Sequence, residues 1–258
     1  MDAWRTAIVD ARDGHIRIRG YDVSALMTGR TFTDTIFLLH QGRLPTPAER
    51  ALLDAILTGV ADHGAGAPSC AAARLAASGN RQSVSSAVAA GILAVGDDHG
   101  GAGLGCMEMI AEGLALAAAE SLSIEDAARR TVEMARAQGK RIPGFGHRVH
   151  STDPRTAILF DLARSGGIAG DGVAFVTAVE RAAAAIVKPL PINIDGALAA
   201  VLRDMGFAPA FGRFVFLIGR MAGLTAEVAE ELTREKPMRI RIPVEYDGEA
   251  PRAMDSQP

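Results

Sequence analysis

Apolar residues at helical spacing, set in segments rich in alanine, constrain the fold of this chain more than any other feature. From Tyr21 onward, apolar residues such as Phe32, Ile36 and Leu39 recur at positions three to four residues apart. This is the period of one face of an α-helix. Alanine favours the helix and lets helices pack closely. The pattern continues to about residue 234 and predicts a mainly α protein.

Capping and breaking residues indicate where the helices begin and end. Thr46 followed by Pro47 is typical of a helix start, and Asp62-His63-Gly64 ends that segment. Further helices are predicted at 69–77, 83–95, 102–119, 124–138, 154–164, 173–187, 195–205 and 211–234. No fixed-period repeat or low-complexity linker interrupts them, so we expect one helical unit.

Strand signals are confined to the two ends of the chain. The short β-prone runs 7–9 and 15–18 flank the turn-rich segment 10–14, a pattern that suits a hairpin. From Pro237, the apolar residues Ile240, Ile242 and Val244 alternate with polar residues or proline, which predicts an extended tail.

The composition excludes several classes of protein. The chain has 258 residues, 48% of them hydrophobic, which is ample for a core, and its formal charge of −3 argues against a broad surface for nucleic acid or anionic membranes. The longest uncharged apolar run, 87–96, is too short to span a bilayer, and the N-terminus does not resemble a signal peptide. Cys70 and Cys106 lack a CxxC spacing and are expected to be reduced thiols in a cytoplasmic protein.

Titratable residues concentrate at breaks between the predicted helices. The segment 140–155 combines helix-breaking proline and glycine with two histidines and three arginines. Similar breaks occur at 62–64, 96–101 and 191–196. Taken singly, such residues are more often caps or surface groups than catalytic groups.

Three kinds of chemistry are compatible with these residues. A metal site could combine histidines with Asp62, Asp98 or Asp195, but the chain has no HExxH motif or close His/Cys cluster. The glycine-rich run 100–105 lacks the Lys-Ser/Thr of a phosphate loop and follows a helix instead of a strand. The third possibility is acid-base chemistry on a carbonyl compound, with arginines holding carboxylates.

The order of these motifs resembles the citrate synthase superfamily. Asp-His-Gly at 62–64, His-Gly-Gly at 99–101, Pro-Gly-Phe-Gly-His-Arg-Val at 143–149 with Asp-Pro-Arg at 153–155, Asn-Ile-Asp at 193–195 and Gly-Arg-Met-Ala-Gly at 219–223 follow one another as in that family. Arg17-Ile-Arg-Gly-Tyr-Asp22, Gly42-Arg-Leu-Pro-Thr46 and Arg241 with Tyr246-Asp-Gly248 are similar to its N- and C-terminal landmarks. The resemblance covers nearly the whole chain.

The resemblance implies a citrate synthase-like helical fold with a short N-terminal hairpin and an extended C-terminal tail. It implies a large subdomain at about 1–103 and 213–258 and a small subdomain at about 104–212. The compressed span between Pro45 and Asp62 and the Asn-Ile-Asp-Gly sequence at 193–196 look closer to the citryl-CoA lyase branch of the superfamily. His99, which the ATP-dependent lyase module lacks, is instead a feature similar to citrate synthases.

Catalytic roles follow from the resemblance by position. Asp195 would exchange a proton with the acetyl carbon, His99 would donate to the thioester oxygen, and His147 would serve the oxoacid carbonyl or hydroxyl group. The expected carboxylate ligands are His63, Arg155, Arg220 and Arg241, with Arg241 supplied across a dimer interface. The expected CoA-binding residues are Ile142, Pro143, Gly144, Phe145, Gly146 and Arg148, with Lys140 or Arg141 also available for the phosphates.

The resemblance implies an enzyme whose substrates are a coenzyme A thioester and oxaloacetate or citrate. It implies a homodimer or higher homo-oligomer and no permanently bound cofactor or metal. The expected activity is that of a citryl-CoA lyase. A citrate synthase, a 2-methylcitrate synthase-like acyltransferase and a non-catalytic subunit that binds CoA or citrate remain alternatives.

Overall fold

The helical periodicity of the sequence produces eleven helices in the part of the chain that the computed structural model describes, residues 3–12, 14–146 and 153–252. In chain order they are α1 (Val23–Gly29), α2 (Phe32–Gln41), α3 (Pro47–Val60), α4 (Pro68–Gly79), α5 (Val84–Leu93), α6 (Ala102–Glu120), α7 (Ile124–Ala137), α8 (Pro154–Ser165), α9 (Asp171–Ile186), α10 (Ile194–Asp204) and α11 (Phe211–Arg234). The predicted mainly α class is confirmed.

Side-chain caps fix several helix starts. At α3, the Thr46 hydroxyl accepts from the backbone N–H of Glu49, and the Glu49 carboxylate accepts from the backbone N–H of Thr46. Helix α9 begins at Asp171, two residues before the predicted start. The reason is long-range, because the Asp204 carboxylate accepts from the backbone N–H groups of Gly170, Gly172 and Val173.

The N-terminal hairpin is present, and its first strand lies closer to the turn than predicted, since residues 7–8 are outside it. Strands β1 (Val9–Arg12) and β2 (His15–Ile18) pair antiparallel, so β1 extends through residues expected in the turn. A third strand, β3 (Tyr21–Asp22), pairs with β2 where the sequence predicted helix. Asp22 then caps α1, because its carboxylate accepts from the backbone N–H of Ser24.

The main hydrophobic core lies among α2, α3 and α6 to α11. It includes Phe37 and Leu53 from one predicted subdomain and Met107 and Leu198 from the other, all fully buried. The division into two subdomains stays a prediction. Helix α6 is long and apolar enough to cross a membrane by length and composition alone, but it packs against α7, α9, α10 and α11, as a core helix does.

The extended C-terminal tail begins at an anchored point. Arg74 and Arg239 both pair with Glu231, whose side chain is fully buried, and the backbone N–H of Met238 donates to the carbonyl of Ser78 at 3.0 Å. Beyond these contacts, residues 241–252 are exposed and have no helix or strand. The tail therefore projects from the helical body after residue 240.

Candidate active site

One open cleft of about 1590 Å³ collects most of the residues singled out from the sequence. Its volume exceeds the ~300–1,000 Å³ of typical small-molecule sites, so it can take an extended ligand. The predicted residues that line it are His63, His99, Ile142, Pro143, Gly144, Phe145, Gly146, Arg155, Asp195 and Arg220. Arg241 is not among the lining residues and lies on the exposed tail. His147 and Arg148 fall outside the described residues.

Asp195 enters the cleft from the first turn of α10. The Asn193 side-chain oxygen caps this helix by accepting from the backbone N–H groups of Asp195 at 2.9 Å and Gly196 at 3.2 Å. Burial raises the pKa of the Asp195 carboxyl group, Arg155 and Arg220 act in the opposite direction, and Asp153 adds to the rise. Asp195 is therefore a carboxyl group suited to both giving and taking a proton.

His99 reaches the cleft just before α6 and is held in one tautomer. Its Nε2 atom accepts from the backbone N–H of Ser69 at 3.2 Å and lies 2.9 Å from the Ser69 hydroxyl oxygen. Because a backbone N–H can only donate, Nε2 carries no proton and the neutral ring keeps its proton on Nδ1. Burial lowers the pKa of His99, and Arg220 and His63 lower it further. The ring is thus a neutral donor.

Arg220 connects α11 to the same group of residues. Its guanidinium donates to the carbonyl of Val60 at 3.0 Å and to the Ser69 hydroxyl at 3.2 Å, and the side chain is almost fully buried. Since Arg220 donates to the Ser69 oxygen, the hydroxyl proton is free to point at His99 Nε2. Ser69, which sequence reasoning missed, therefore links two predicted site residues.

Phe216 packs between His99 and Arg220. Its ring meets the His99 ring edge-on at 5.7 Å between centroids, and the Arg220 guanidinium lies 4.7 Å from its centroid. A Cβ atom on Gly100 would lie 2.5 Å from this ring, and Gly100 has a φ of +82°. The absence of a side chain at Gly100 therefore makes room for Phe216.

Arg155 lies in the cleft wall and already has internal partners. Its Nε and Nη2 atoms donate to the two carboxylate oxygens of Asp153 at 3.0 and 2.9 Å, and Nη1 donates to the carbonyl of Gly59 at 3.0 Å. The buried Asp153 also caps α8, whose first residue is Pro154. Asp-Pro at a helix start was the available signal for this cap.

The loop 142–146 pairs with the segment that precedes α10. The backbone N–H of Gly146 donates to the carbonyl of Pro191 at 2.8 Å, and that of Asn193 donates to the carbonyl of Gly144 at 3.1 Å. Phe145 and Ile192 thereby form an antiparallel bridge, in which the peptide groups of Phe145 point away from Ile192. Among the described residues, these groups make no hydrogen bond within the protein.

The loop and α10 approach so closely that both contact positions must be glycine. A Cβ atom on Gly196 would lie 2.3 Å from the Gly144 carbonyl oxygen, and one on Gly144 would lie 2.7 Å from the Gly196 Cα atom. The Asn193 side-chain amide also donates to the Gly146 carbonyl at 2.9 Å. The predicted CoA loop and the predicted base are therefore parts of one rigid unit.

Exposed cationic residues line the cleft at the C-terminal ends of α7 and α9. Lys140 and Arg141 were considered from the sequence, whereas Arg136 and Lys188 were missed. Arg136 spans the two helix ends, because it donates to the carbonyl of Ile186 at 2.9 Å. Only their position at the C-terminal ends of two neighbouring helices distinguishes these residues from ordinary surface charges.

The possible metal ligands that come together in the described part of the chain lie elsewhere. Atoms of Asp62, Cys70 and Glu227 are within 4.8 Å of one another, and Glu227 is already paired with Arg74. This group contains none of the histidines considered from the sequence. Cys70 and Cys106 are free and buried, as expected for reduced thiols.

A family model matches most of the length of the chain. The model of the family described as "Citrate synthase, C-terminal domain" matches residues 46–241. The glyoxysomal citrate synthase of Cucurbita maxima is 30% identical over 213 residues, which cover 80% of this chain. The match covers 39% of that relative, so the chain is much shorter than the citrate synthase it resembles.

Solved structures match over nearly the whole of this chain. The citryl-CoA lyase from Hydrogenobacter thermophilus has a TM-score of 0.89 and 39% identity, with 98% of each chain covered. The ATP citrate lyase from Methanothrix soehngenii, solved with citrate and coenzyme A, has a TM-score of 0.77 and 21% identity over 96% of this chain and 42% of its own. The latter likeness shows the fold alone.

Proposed function

Because this chain belongs to the citrate synthase family, we propose that it is an enzyme of that type, specifically a citryl-CoA lyase. The reaction is the reversible cleavage of citryl-CoA to acetyl-CoA and oxaloacetate. The observation that carries the proposal is that a neutral histidine donor, a carboxyl group of raised pKa and two buried or half-buried arginines line the same cleft. The full-length likeness to a citryl-CoA lyase favours cleavage over the synthase reaction.

The proposed cleavage starts at the tertiary hydroxyl group of citryl-CoA. A base removes the hydroxyl proton, the carbonyl of oxaloacetate forms, and the electrons of the broken carbon-carbon bond move into the thioester as an enolate. By family resemblance this base is His147, outside the described residues. The Nδ1–H of His99 stabilises the enolate oxygen, and Asp195 gives its proton to the enolate carbon.

The protonation states of the cleft residues suit this direction. A raised pKa increases the fraction of Asp195 that carries the proton needed for the enolate carbon. The lowered pKa of His99 keeps that ring neutral, so it donates a hydrogen bond without adding a charge. Arg155 and Arg220 supply permanent positive charge for the carboxylates of the substrate.

The CoA end of the substrate would lie along the loop 142–146. The N–H and C=O groups of Phe145 offer one donor and one acceptor to the edge of the adenine ring. Arg136, Lys140, Arg141 and Lys188 provide the positive charge for the phosphates. Rigid pairing of this loop with the segment before α10 would fix the distance between the CoA site and Asp195.

The position of Arg241 supports an oligomeric site. As a carboxylate ligand it would have to act on a cleft, but it lies on the exposed tail beyond its anchor. We propose a homodimer in which Arg241 of one chain enters the cleft of the other. Sedimentation analysis of the wild-type protein and the Arg241→Ala variant tests this, since the variant should remain dimeric with weakened substrate binding. A monomeric, fully active wild-type protein would refute it.

The reaction is tested by following two products separately. Purified protein is supplied with citryl-CoA, and separately with acetyl-CoA plus oxaloacetate, while oxaloacetate and free CoA thiol are measured. A lyase produces oxaloacetate from citryl-CoA without releasing free thiol. Rapid thiol release from acetyl-CoA plus oxaloacetate would instead identify a citrate synthase, and the same test with propionyl-CoA would identify a 2-methylcitrate synthase-like enzyme.

The Asp195→Asn variant separates catalysis from binding. It should lose cleavage activity and still bind coenzyme A and citrate, because the amide keeps the shape of the side chain and removes the transferable proton. If the wild-type protein binds these ligands and catalyses none of the reactions, the chain is a binding subunit and the proposal of an enzyme is wrong.

A further inference from the structure

The geometry points to Asp153 as a positioning residue that ties the substrate arginine Arg155 to the N-terminus of the helix carrying Asp195. This inference rests on the proposed function, in which Arg155 binds a carboxylate and Asp195 transfers a proton. Asp153 itself does not line the cleft and is 7% exposed. It would therefore act through its neighbours and not on the substrate.

Four hydrogen bonds converge on the Asp153 carboxylate. Oδ1 accepts from the backbone N–H and from Nε of Arg155, both at 3.0 Å. Oδ2 accepts from Arg155 Nη2 at 2.9 Å and from the backbone N–H of Ile194 at 3.2 Å. Ile194 is the first residue of α10 and immediately precedes Asp195. One buried side chain thus holds both the guanidinium and the helix start.

A further hydrogen bond ties the Arg155 guanidinium to α3, on the side away from Asp153. Its Nη1 atom donates to the carbonyl of Gly59 near the end of α3, so the guanidinium is held between α3 and Asp153. A guanidinium held at both edges loses little conformational freedom when it binds a carboxylate. Without Asp153, Arg155 would keep one of these supports, and the N-terminus of α10 would lose one of its side-chain contacts.

Asp153 also contributes charge at the site of proton transfer. Among the described residues, the charged groups that influence Asp195 are Arg155 from α8, Arg220 from α11 and Asp153, and the Cys106 thiol of α6 also lies near it. The negative charge of Asp153 raises the pKa of Asp195. Loss of that charge should therefore lower the pKa of Asp195, an effect that a purely structural cap would not have.

The decisive comparison uses Asp153→Asn with Asp204→Asn as a matched control. Asp204 also caps a helix through three backbone N–H groups and does not line the cleft. We would measure the pKa of Asp195 by ¹³C NMR of its carboxyl carbon, assigned with Asp195→Asn, and the steady-state cleavage of citryl-CoA. Asp153→Asn should lower this pKa and reduce kcat/KM about 10- to 100-fold, mainly through KM. Asp204→Asn should lower Tm and leave the pKa and KM unchanged.

Two outcomes would overturn the inference. One is a folded Asp153→Asn protein with the wild-type pKa at Asp195 and the wild-type KM. The other is an equal change in both quantities in Asp204→Asn, which would show a general effect of lost stability. If Asp153→Asn does not fold, Asp153→Ser replaces it, because serine retains the helix cap and removes the charge.

The experiment also separates this inference from the proposed function. If the wild-type protein does not cleave citryl-CoA, the proposed function fails. The role of Asp153 is then decided by the pKa of Asp195 and by calorimetric binding of citrate and oxaloacetate to the wild-type and variant proteins. Unchanged binding and an unchanged pKa would refute it independently of any activity.

Discussion

Replacing Gly196 by alanine tests whether the close approach between loop 142–146 and α10 positions the catalytic carboxyl group. The added Cβ atom would lie 2.3 Å from the Gly144 carbonyl oxygen and 3.0 Å from the Ile192 side chain. The first contact is about 1 Å shorter than an ordinary van der Waals contact. The obstructing atom belongs to the backbone of a paired segment, so it cannot rotate away as a flexible side chain would.

The expected effects follow from this steric overlap between the added Cβ atom and the Gly144 carbonyl oxygen. Separating loop 142–146 from α10 would strain the hydrogen bond from the backbone N–H of Asn193 to the Gly144 carbonyl. Overpacking of this kind costs about 1–3 kcal/mol of folding free energy. Asp195 is adjacent to the substituted residue, and a displacement of about 1 Å at a reacting group costs about 10²-fold in rate. We therefore expect Gly196→Ala to fold with a lower Tm and to retain about 1% of the wild-type kcat.

The assay couples oxaloacetate formation from citryl-CoA to NADH oxidation by malate dehydrogenase. Gly29→Ala is the matched control, because a Cβ atom at Gly29, the last residue of α1, would have no neighbour within 4 Å. This control should change stability by no more than about 1 kcal/mol and leave kcat unchanged. A Gly196→Ala variant with wild-type Tm and kcat would refute the close-approach argument.

Three further expectations concern the residues behind the cleft and the tail anchor. Ser69→Ala removes the hydroxyl shared by His99 and Arg220 and leaves Arg220 Nη1 without this partner. Unfolding in urea should therefore show a free energy of unfolding lower by about 1–3 kcal/mol, and kcat should fall about tenfold. Unchanged values would contradict the shared role of this hydroxyl. The pKa of His99, followed in ¹⁵N NMR spectra, should lie below its ordinary value of 6.5, because burial and the charge of Arg220 disfavour the imidazolium form. A pKa above 6.5 would show that the ring is not held neutral. Arg74→Ala removes one of the two arginines that pair with the fully buried Glu231, and Arg239 keeps its pair, so the free energy of unfolding should fall by about 1.5–3 kcal/mol. Arg129→Ala, which breaks an exposed pair with Asp126, should lower it by no more than about 1 kcal/mol. Similar losses in both variants would refute the argument from burial.

Interactions between near neighbours in the chain were predicted well from the sequence. The helical periodicity, the Thr46 cap with Pro47 and the alternating tail depend on residues within a few positions of one another. The ordered motifs placed His99, Asp195, Arg155 and Arg220 among the candidate site residues, and the structure brings all four to one cleft. Their roles in the reaction remain predictions.

The helix boundaries and turns that the sequence missed have long-range causes. Pairing with β2 makes Tyr21 part of a strand even though its neighbours suggest helix. Asp204 sets the start of α9 from 31 or more residues away in the chain. Neither effect leaves a local pattern, because the partner that decides the conformation is brought into place only by folding.

The helical class, the family resemblance and the candidate chemical groups could be predicted from the sequence, because periodicity and caps depend on neighbouring residues and each motif is a short run of residues. The tertiary structure sets which of these groups contact one another. Ser69 and His99 are 30 residues apart, and Asp153 and Ile194 are 41 apart, yet each pair is joined by a hydrogen bond. It also placed Arg241 outside the cleft of its own chain. Such contacts depend on how whole helices pack, and no spacing along the chain encodes that packing.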